Sequence, residues 1–311
     1  MKVLVTGGTG LVGSAIKSIC SNYDHDFVFL SSKSGDLSIL SEVYRIFEEH
    51  KPDIVIHLAA CVGGLYKNMN ENGTMFERNI LINTNVLKCC VKYKVKKTLS
   101  CLSTCIFPAN TTYPINEYML HTGPPHNSNE GYSYAKRMLD VQSRMYRQQY
   151  NMKFITVIPT NIYGPYDNYN FYNAHVIPAL IHKCYLAKAN NTPFMVMGSG
   201  KPLRQFIYSV DLAQLILWSL ENYDDSTPLI LSPSEKDEIS IGVVARLIAK
   251  SFNYEKHIMF QPEFSDGQYK KTADNSRLIQ KIGSFNFTKI EKGIDLSVKW
   301  FVENYGKNIR I

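Results

Sequence analysis

The sequence predicts an α/β protein: a doubly wound parallel sheet followed by a smaller C-terminal lobe. Three observations carry that prediction. A glycine-rich turn follows the first apolar run directly. Short apolar runs then alternate with amphipathic helical patterns as far as Pro159, and beyond it the text changes to aromatic, asparagine-rich segments such as GPYDNYNFYN. Strands alternating with helices imply parallel pairing through right-handed crossovers.

Residues 2–6, KVLVT, form the first strand, and the helical pattern GLVGSAIKSIC follows its glycine turn. Strand, glycine turn and helix in that order open a Rossmann unit. The alternation then runs DFVFLSS (strand), LSEVYRIFEEHK (helix), DIVIHLAA (strand), FERNILINTNVLKCCVKY (helix), KTLSCLS (strand), YSYAKRMLDVQSRMYRQQY (helix) and KFITVIP (strand). The expected division is a dinucleotide-binding domain over 1–165, to which 205–232 returns through RQFIYSVDLAQLILWSLEN, and a substrate-binding lobe over 166–204 and 233–311. The chain contains no internal repeat, and 311 residues suffice for one large α/β domain or two unequal ones around a cleft.

Composition narrows the class. With 45% hydrophobic and 20% charged residues the chain reads as globular, and the apolar run of MKVLVTGGTG breaks on glycines before a signal peptide or membrane span is complete. A soluble, cytoplasmic protein is expected. The seven cysteines (Cys20, Cys61, Cys89, Cys90, Cys101, Cys105 and Cys184) include no Cys-x-x-Cys pair and no histidines at metal-ligand spacing. They are expected as reduced thiols, mostly packing, with no metal site. The sequons at Asn72, Asn110, Asn190 and Asn286 carry no meaning without secretion. A net charge of +7, with the cations scattered, suits polyanionic small molecules as well as nucleic acid and does not choose between them.

In TGGTGLVG, Gly7, Gly10 and Gly13 satisfy Gly-x-x-Gly-x-x-Gly, while Gly8, Gly10 and Gly13 satisfy Gly-x-Gly-x-x-Gly. Such turns need backbone angles closed to other residues, and a side chain would hold a pyrophosphate away from the helix N-terminus. Leu11, Val12 and the Leu58-Ala59-Ala60 stretch after the third strand are further cofactor candidates. The carboxylate that grips an adenosine ribose is expected after the second strand, yet Ser31, Ser32 and Lys33 stand there. Serines and a lysine suit a 2′-phosphate, so NADP(H) is favoured over NAD. Asp36 and Leu37 would flank the adenine, although a helix-leading aspartate explains Asp36 nearly as well.

GYSYAKR places Tyr132 four residues before Lys136, on one helix face, with Tyr134 about 200° away from that lysine. A cation beside a phenol favours phenolate and suits proton transfer. Ser103, at the carboxyl end of a strand, is placed to orient a substrate carbonyl. With these three elements in this order, the whole chain resembles the extended short-chain dehydrogenase/reductase family.

If the strand direction persists, residues 103 and 105 project to the same side, so Cys105 looks into the same cleft as Ser103. A plain reductase has no use for a thiol there, whereas an enzyme that removes protons beside a ketone needs a base and an acid. His175 opens a helical pattern just after the aromatic loop and is the candidate acid. PTNIYGPYDNYN, HVIPALIHK, RQFIYSVDLAQ, HNSNEGYSYAKR and SDGQYKKTADNSR sharpen the likeness to the branch of that family that 3,5-epimerises and 4-reduces GDP-4-keto-6-deoxy-D-mannose. The resemblance implies Ser103, Tyr132 and Lys136 as the reductase triad, and Cys105 and His175 as the epimerisation pair. It also implies Lys183, Arg204 and Lys271 at the sugar or phosphates, and Asn161 near cofactor or substrate. Some relatives carry an arginine near Thr9, which this chain lacks.

Another nucleotide-sugar epimerase or reductase would share the triad without needing the Cys/His pair, and a dehydratase would usually place acidic residues where Thr104 and Cys105 stand. A non-catalytic NADP-binding sensor typically loses the tyrosine or lysine, and both are present. Apolar residues Ile80, Leu87, Met138 and Met145 form stripes on helices at 76–93 and 133–150. These stripes either cover the sheet or, as the resemblance implies, join two copies in a four-helix homodimer interface.

Overall fold

The computed structural model describes residues 1–311 except Tyr172, Gly267 and Asn308, and leaves the side chains of Leu65 and Tyr66 undescribed. The apolar run of the first strand is β1 (Lys2–Thr6), and α1 (Leu11–Ile19) starts where the glycine turn ends. Then come β2 (Asp26–Phe29), α2 (Leu40–His50), β3 (Ile54–His57), α3 (Leu65–Asn70), α4 (Asn72–Lys92), β4 (Lys97–Cys101), α5 (Glu130–Tyr150) and β5 (Lys153–Pro159). Asn151, in the left-handed conformation with φ 50°, stops α5 directly before β5. The remaining elements are β6 (Asn161–Tyr163), α6 (Val176–Ala189), β7 (Phe194–Met197), β8 (Leu203–Arg204), β9 (Phe206–Tyr208), α7 (Ser209–Asn222), β10 (Leu229–Leu231), β11 (Ile239–Ser240), α8 (Ile241–Ser251), β12 (Ile258–Gln261), α9 (Ser276–Ile282) and α10 (Ile290–Asn304).

The main sheet has the order β10-β5-β4-β3-β1-β2, parallel throughout. Alternation decides what each face buries. Val3 and Val5, with Ile54, Ile56, Leu99, Ile155 and Val157, pack under α1 and α7. Leu4 and Val55 face the other way, against α2, α4 and α5 through Val43, Phe47, Val86, Leu87 and Leu139. The chain leaves β1 toward β2 and returns on the far side to β3, so the topological switch point lies between β1 and β3, above their carboxyl ends.

A third core gathers α6, α8, α10 and β7 around Tyr163, Tyr169, Ile181, Phe194 and Phe301. Most of its members come from the segments assigned to the smaller lobe, but Tyr163, Phe206 and Tyr208 come from the ranges assigned to the first domain. One stretch of those segments packs elsewhere: Leu278, Ile282, Phe285 and Phe287 join the cluster under the main sheet, because α9 lies against β10.

Two sequence expectations change here. The strand through Ser103 ends at Cys101, and Thr104–Ile106 forms a 3₁₀ turn capped by Ser103 Oγ, which accepts the Cys105 N–H at 3.4 Å. A serine that bonds the backbone two residues on competes with the strand ladder. Leu87, placed on an outward stripe, is fully buried against the sheet, while Phe76 and Leu81 are the large apolar residues that α4 leaves exposed. Among the described residues, no helix is long and apolar enough to cross a membrane.

Candidate active site

The glycine turn is packed so closely that no side chain fits at Gly7, Gly8 or Gly13. A Cβ on Gly13 would lie 2.6 Å from Gly7 O and from backbone atoms of Gly8, and one on Gly7, already at φ +67°, would lie 2.9 Å from the Ala59 nitrogen. Gly10, at the N-cap of α1, donates its N–H to Gly7 O at 3.0 Å. The turn therefore offers backbone alone to anything seated on the helix N-terminus beside Leu11 and Val12.

Beneath it runs a hydrogen-bonded chain that the sequence reading passed over. Thr6 Oγ1 accepts the N–H groups of Leu58 and Ala59, each at 3.1 Å. Its own proton is left for His57 Nδ1, 2.8 Å away. His57 Nε2–H then donates to Asn83 Oδ1 at 3.0 Å, and Asn83 Nδ2 donates to Ala135 O at 3.4 Å, one residue before Lys136. Burial, with Lys136 adding to it, depresses the His57 pKa to about 3, so the ring is neutral. The available signal was a single polar residue ending the apolar strand run of DIVIHLAA.

Beyond β2, Ser31 to Ser34 form a turn closed by Ser34 N–H to Ser31 O at 3.0 Å, with Ser32 and Lys33 exposed at its tip. Two cations the sequence reading did not single out join Lys33 there. Arg45 donates to Ser34 O at 2.6 Å, and Arg78 lies 3.4 Å from Asp36. The Asp36 carboxylate accepts the Ser38 N–H and hydroxyl at 2.9 and 2.7 Å, in the loop before α2 rather than at its N-cap, which is Ile39. Leu37 packs on the core, and its carbonyl accepts from Asn85 at 3.1 Å.

Around half-buried Tyr132 the structure assembles a charged cluster. Lys136, 2% exposed, donates from Nζ to Cys101 O at 2.7 Å, with Nζ 5.9 Å from the centroid of the Tyr132 ring. Cys105 interacts electrostatically with Tyr132, Lys136 and Lys271. Arg137 Nε donates to Ile106 O at 2.5 Å, pinning the 3₁₀ turn that carries Cys105 to α5. Cys105 lies within electrostatic reach of the tyrosine, carried there by a capped turn rather than by strand alternation. The expected bias toward phenolate is not found: burial is the main influence on Tyr132, and with Cys105, Cys101 and Cys61 it raises the phenol well above 10. Desolvation of the whole pair outweighs the lysine, whose own pKa is lowered by burial.

The substrate-side candidates are more dispersed. Asn161 donates from Nδ2 to Gln205 O at 2.9 Å. Arg204 donates from Nη1 to Leu203 O and Tyr269 O and from Nη2 to Gln268 O at 2.6 Å, while its charge interacts with Lys271. Burial lowers the pKa of both Lys183 and Lys271. His175 is the exposed N-cap residue of α6; its electrostatic partner is Asp167, and no described contact joins it to Cys105. Among the described residues no cluster suits a metal ion.

A family model described as the NAD dependent epimerase/dehydratase family matches residues 3–232. The chain is 53% identical to the GDP-L-fucose synthase of Dictyostelium discoideum, over 97% of this chain and 96% of that one. It is 48% identical to the probable GDP-L-fucose synthase of Drosophila melanogaster, over 98% of each. The crystal structure of a GDP-L-fucose synthetase from Naegleria fowleri bound to NADP superposes with a TM-score of 0.95 at 48% identity, over 100% of this chain and 95% of that one.

Proposed function

The chain belongs to the NAD dependent epimerase/dehydratase family, and on that premise we propose that it converts GDP-4-keto-6-deoxy-D-mannose to GDP-L-fucose, epimerising at C3 and C5 and reducing at C4 with NADPH. The observation that carries this reading is the placement of buried Cys105 and Lys136 in one cluster with half-buried Tyr132 and Lys271. A reductase alone needs only the tyrosine and lysine. Identities of 53% and 48% over nearly the whole chain, to proteins named for that product, support it.

The glycine turn fits a dinucleotide, since a Cβ at Gly7 or Gly13 would fill the cradle. Gly7, Gly10, Leu11, Val12 and Gly13 would hold the pyrophosphate, and Asp36 and Leu37 would border the adenine. Ser32 and Lys33, with Arg45 and Arg78 behind them, would take the 2′-phosphate, and Leu58, Ala59, Ala60 and Asn161 would line the rest. When bound, NADPH supplies the hydride for C4.

The protein's own groups do the remaining work. The Ser103 hydroxyl, its oxygen accepting the Cys105 N–H, donates a hydrogen bond to the C4 carbonyl and so acidifies C3 and C5. Cys105 takes those protons, and Lys136 and Lys271 supply positive charge beside the sulfur. His175 returns one proton to each carbon on the opposite face, and exchange with solvent resets the thiol and the imidazole between the two steps. Tyr132, kept as a phenol by burial, protonates the C4 oxygen, and Lys136 offsets the charge left on the ring. Arg204, Lys183 and Lys271 face the sugar and phosphates. One carbonyl thereby serves both chemistries.

The free chain is a homodimer in this reading. Between α4 and α5 lies a shallow groove of about 280 Å³ lined by Ile80, Met138, Val141 and Met145 among others, with Met145 60% exposed. A second copy of the same helix pair would cover it. Seven free thiols suit a reducing, cytoplasmic location. Oxidation of NADPH followed by absorbance tests the reading: it should require the keto-sugar, and a chain that binds NADPH yet never oxidises it with that sugar would be a sensor.

A further inference from the structure

Asp167 has no part in the chemistry above. It lies between β6 and α6, 5% exposed. Its Oδ1 accepts the N–H of Asn168 at 2.7 Å, while Oδ2 is buried with no hydrogen-bond partner among the described residues. A carboxylate oxygen left this way opposes folding unless something claims it in the working state.

The loop that carries it doubles back along α6. His182 Nδ1–H donates to Tyr169 O at 2.8 Å, and the Phe171 ring stacks on His182 at 4.2 Å. The N–H groups of Asn173 and Ala174 both donate to Asn170 O. The fold-back brings His175, at the N-cap of α6, within electrostatic reach of Asp167, although the two side chains form no ion pair in this conformation. The other charged or titratable groups facing the carboxylate are Arg310, which donates to Tyr166 O at 2.5 Å, and the Tyr169 phenol.

We propose that Asp167 is the positioning residue for His175: Oδ2 accepts one imidazole N–H and so turns the other ring nitrogen toward the sugar carbon to be reprotonated. The proton goes from that nitrogen to carbon, and the carboxylate stays ionised while it orients the ring. This rests on the epimerase reading. Burial raises the Asp167 carboxyl to about 6, His175 being the largest influence in the other direction, so its titration falls within the working pH range.

The test follows deuterium entering C3 and C5 of GDP-4-keto-6-deoxymannose in D₂O by NMR, without NADPH, across pH 5 to 8. The wild type should show an acid limb near pH 6. In Asp167→Asn, exchange at pH 7 should fall about 10- to 100-fold with KM little changed and the limb near pH 6 gone. Asp167→Glu should recover part of the rate. NADPH affinity, read by fluorescence, should match the wild type in both variants. Wild-type exchange with the limb intact in Asp167→Asn would overturn the proposal. So would an Asp167→Asn protein that no longer folds, since the carboxylate would then be structural. No exchange in the wild type would instead defeat the epimerase reading itself.

Discussion

The two ends of the cleft are built on opposite plans. At the cofactor end, Thr6, His57, Asn83 and Ala135 form a chain in which each donor meets an acceptor, and the titratable member is held neutral. The glycine turn above it is closed to any side chain. At the substrate end, charge is left without an opposite charge: half-buried Lys271 and Arg204 lie close enough to repel, and buried Asp167 keeps an unpartnered oxygen. The difference teaches where each half of the function resides. Close packing of backbone and paired hydrogen bonds leave the cofactor end saturated before any ligand arrives. The substrate end retains charges whose partners arrive with the reacting sugar.

The sharpest way to break this comparison is to separate the two chemistries. Cys105→Ser should lose exchange at C3 and C5 by about 10²–10⁴-fold, roughly 3–5 kcal/mol of barrier, with NADPH binding intact. Tyr132→Phe should lose NADPH oxidation on the same scale while exchange continues. If both variants lose both activities equally, the separation of roles fails.

Next in size is an acid sensitivity located at the cofactor end. The His57 pKa, depressed from 6.5 to about 3, means that the unfolded chain takes up a proton the folded one refuses. Its contribution to stability is complete above pH 6.5 and is lost as pH falls, by about 3 kcal/mol between pH 7 and 4. Urea unfolding of His57→Gln should show a flatter pH dependence over that range. Superimposable curves for variant and wild type would remove His57 from the account.

Gly13→Ala should follow, because the added methyl meets backbone at 2.6 Å and α1 must shift. We expect a cost of about 1–3 kcal/mol, read as weaker NADPH binding and a lower Tm. An unchanged Kd would mean the turn has slack. The smallest effect belongs to Lys33→Ala at the exposed tip. NADPH should lose about 3- to 10-fold in kcat/KM, near 1 kcal/mol, and NADH should be unaffected. Equal losses for both cofactors would show that Lys33 does not meet the 2′-phosphate.

Much of the sheet was legible because its strands are continuous apolar runs, and buried parallel strands have no other way to read. The glycine turn was legible for a similar reason: a backbone requirement leaves its mark directly in residue type. Cys105 was singled out on a premise that the structure replaces. Strand alternation does not extend past Cys101, where the Ser103 cap takes over and a 3₁₀ turn carries the cysteine. Leu87 shows that a helix with two apolar sides does not declare which one meets the sheet. Asp167 was hidden in GPYDNYN as one polar letter among many, because burial of a loop residue depends on a fold-back that no periodicity encodes. The Tyr132 phenol was misjudged by weighing the nearby lysine and omitting desolvation.

The central claim is that one carbonyl, held at one cluster, serves proton exchange and reduction. The most direct test is to incubate the protein with GDP-4-keto-6-deoxymannose and NADPH in D₂O and to read the product by NMR. The account predicts GDP-L-fucose with deuterium at both C3 and C5, formed as NADPH is consumed. A 4-reduced GDP-6-deoxyhexose that keeps protium and its original configuration at C3 and C5 would contradict it.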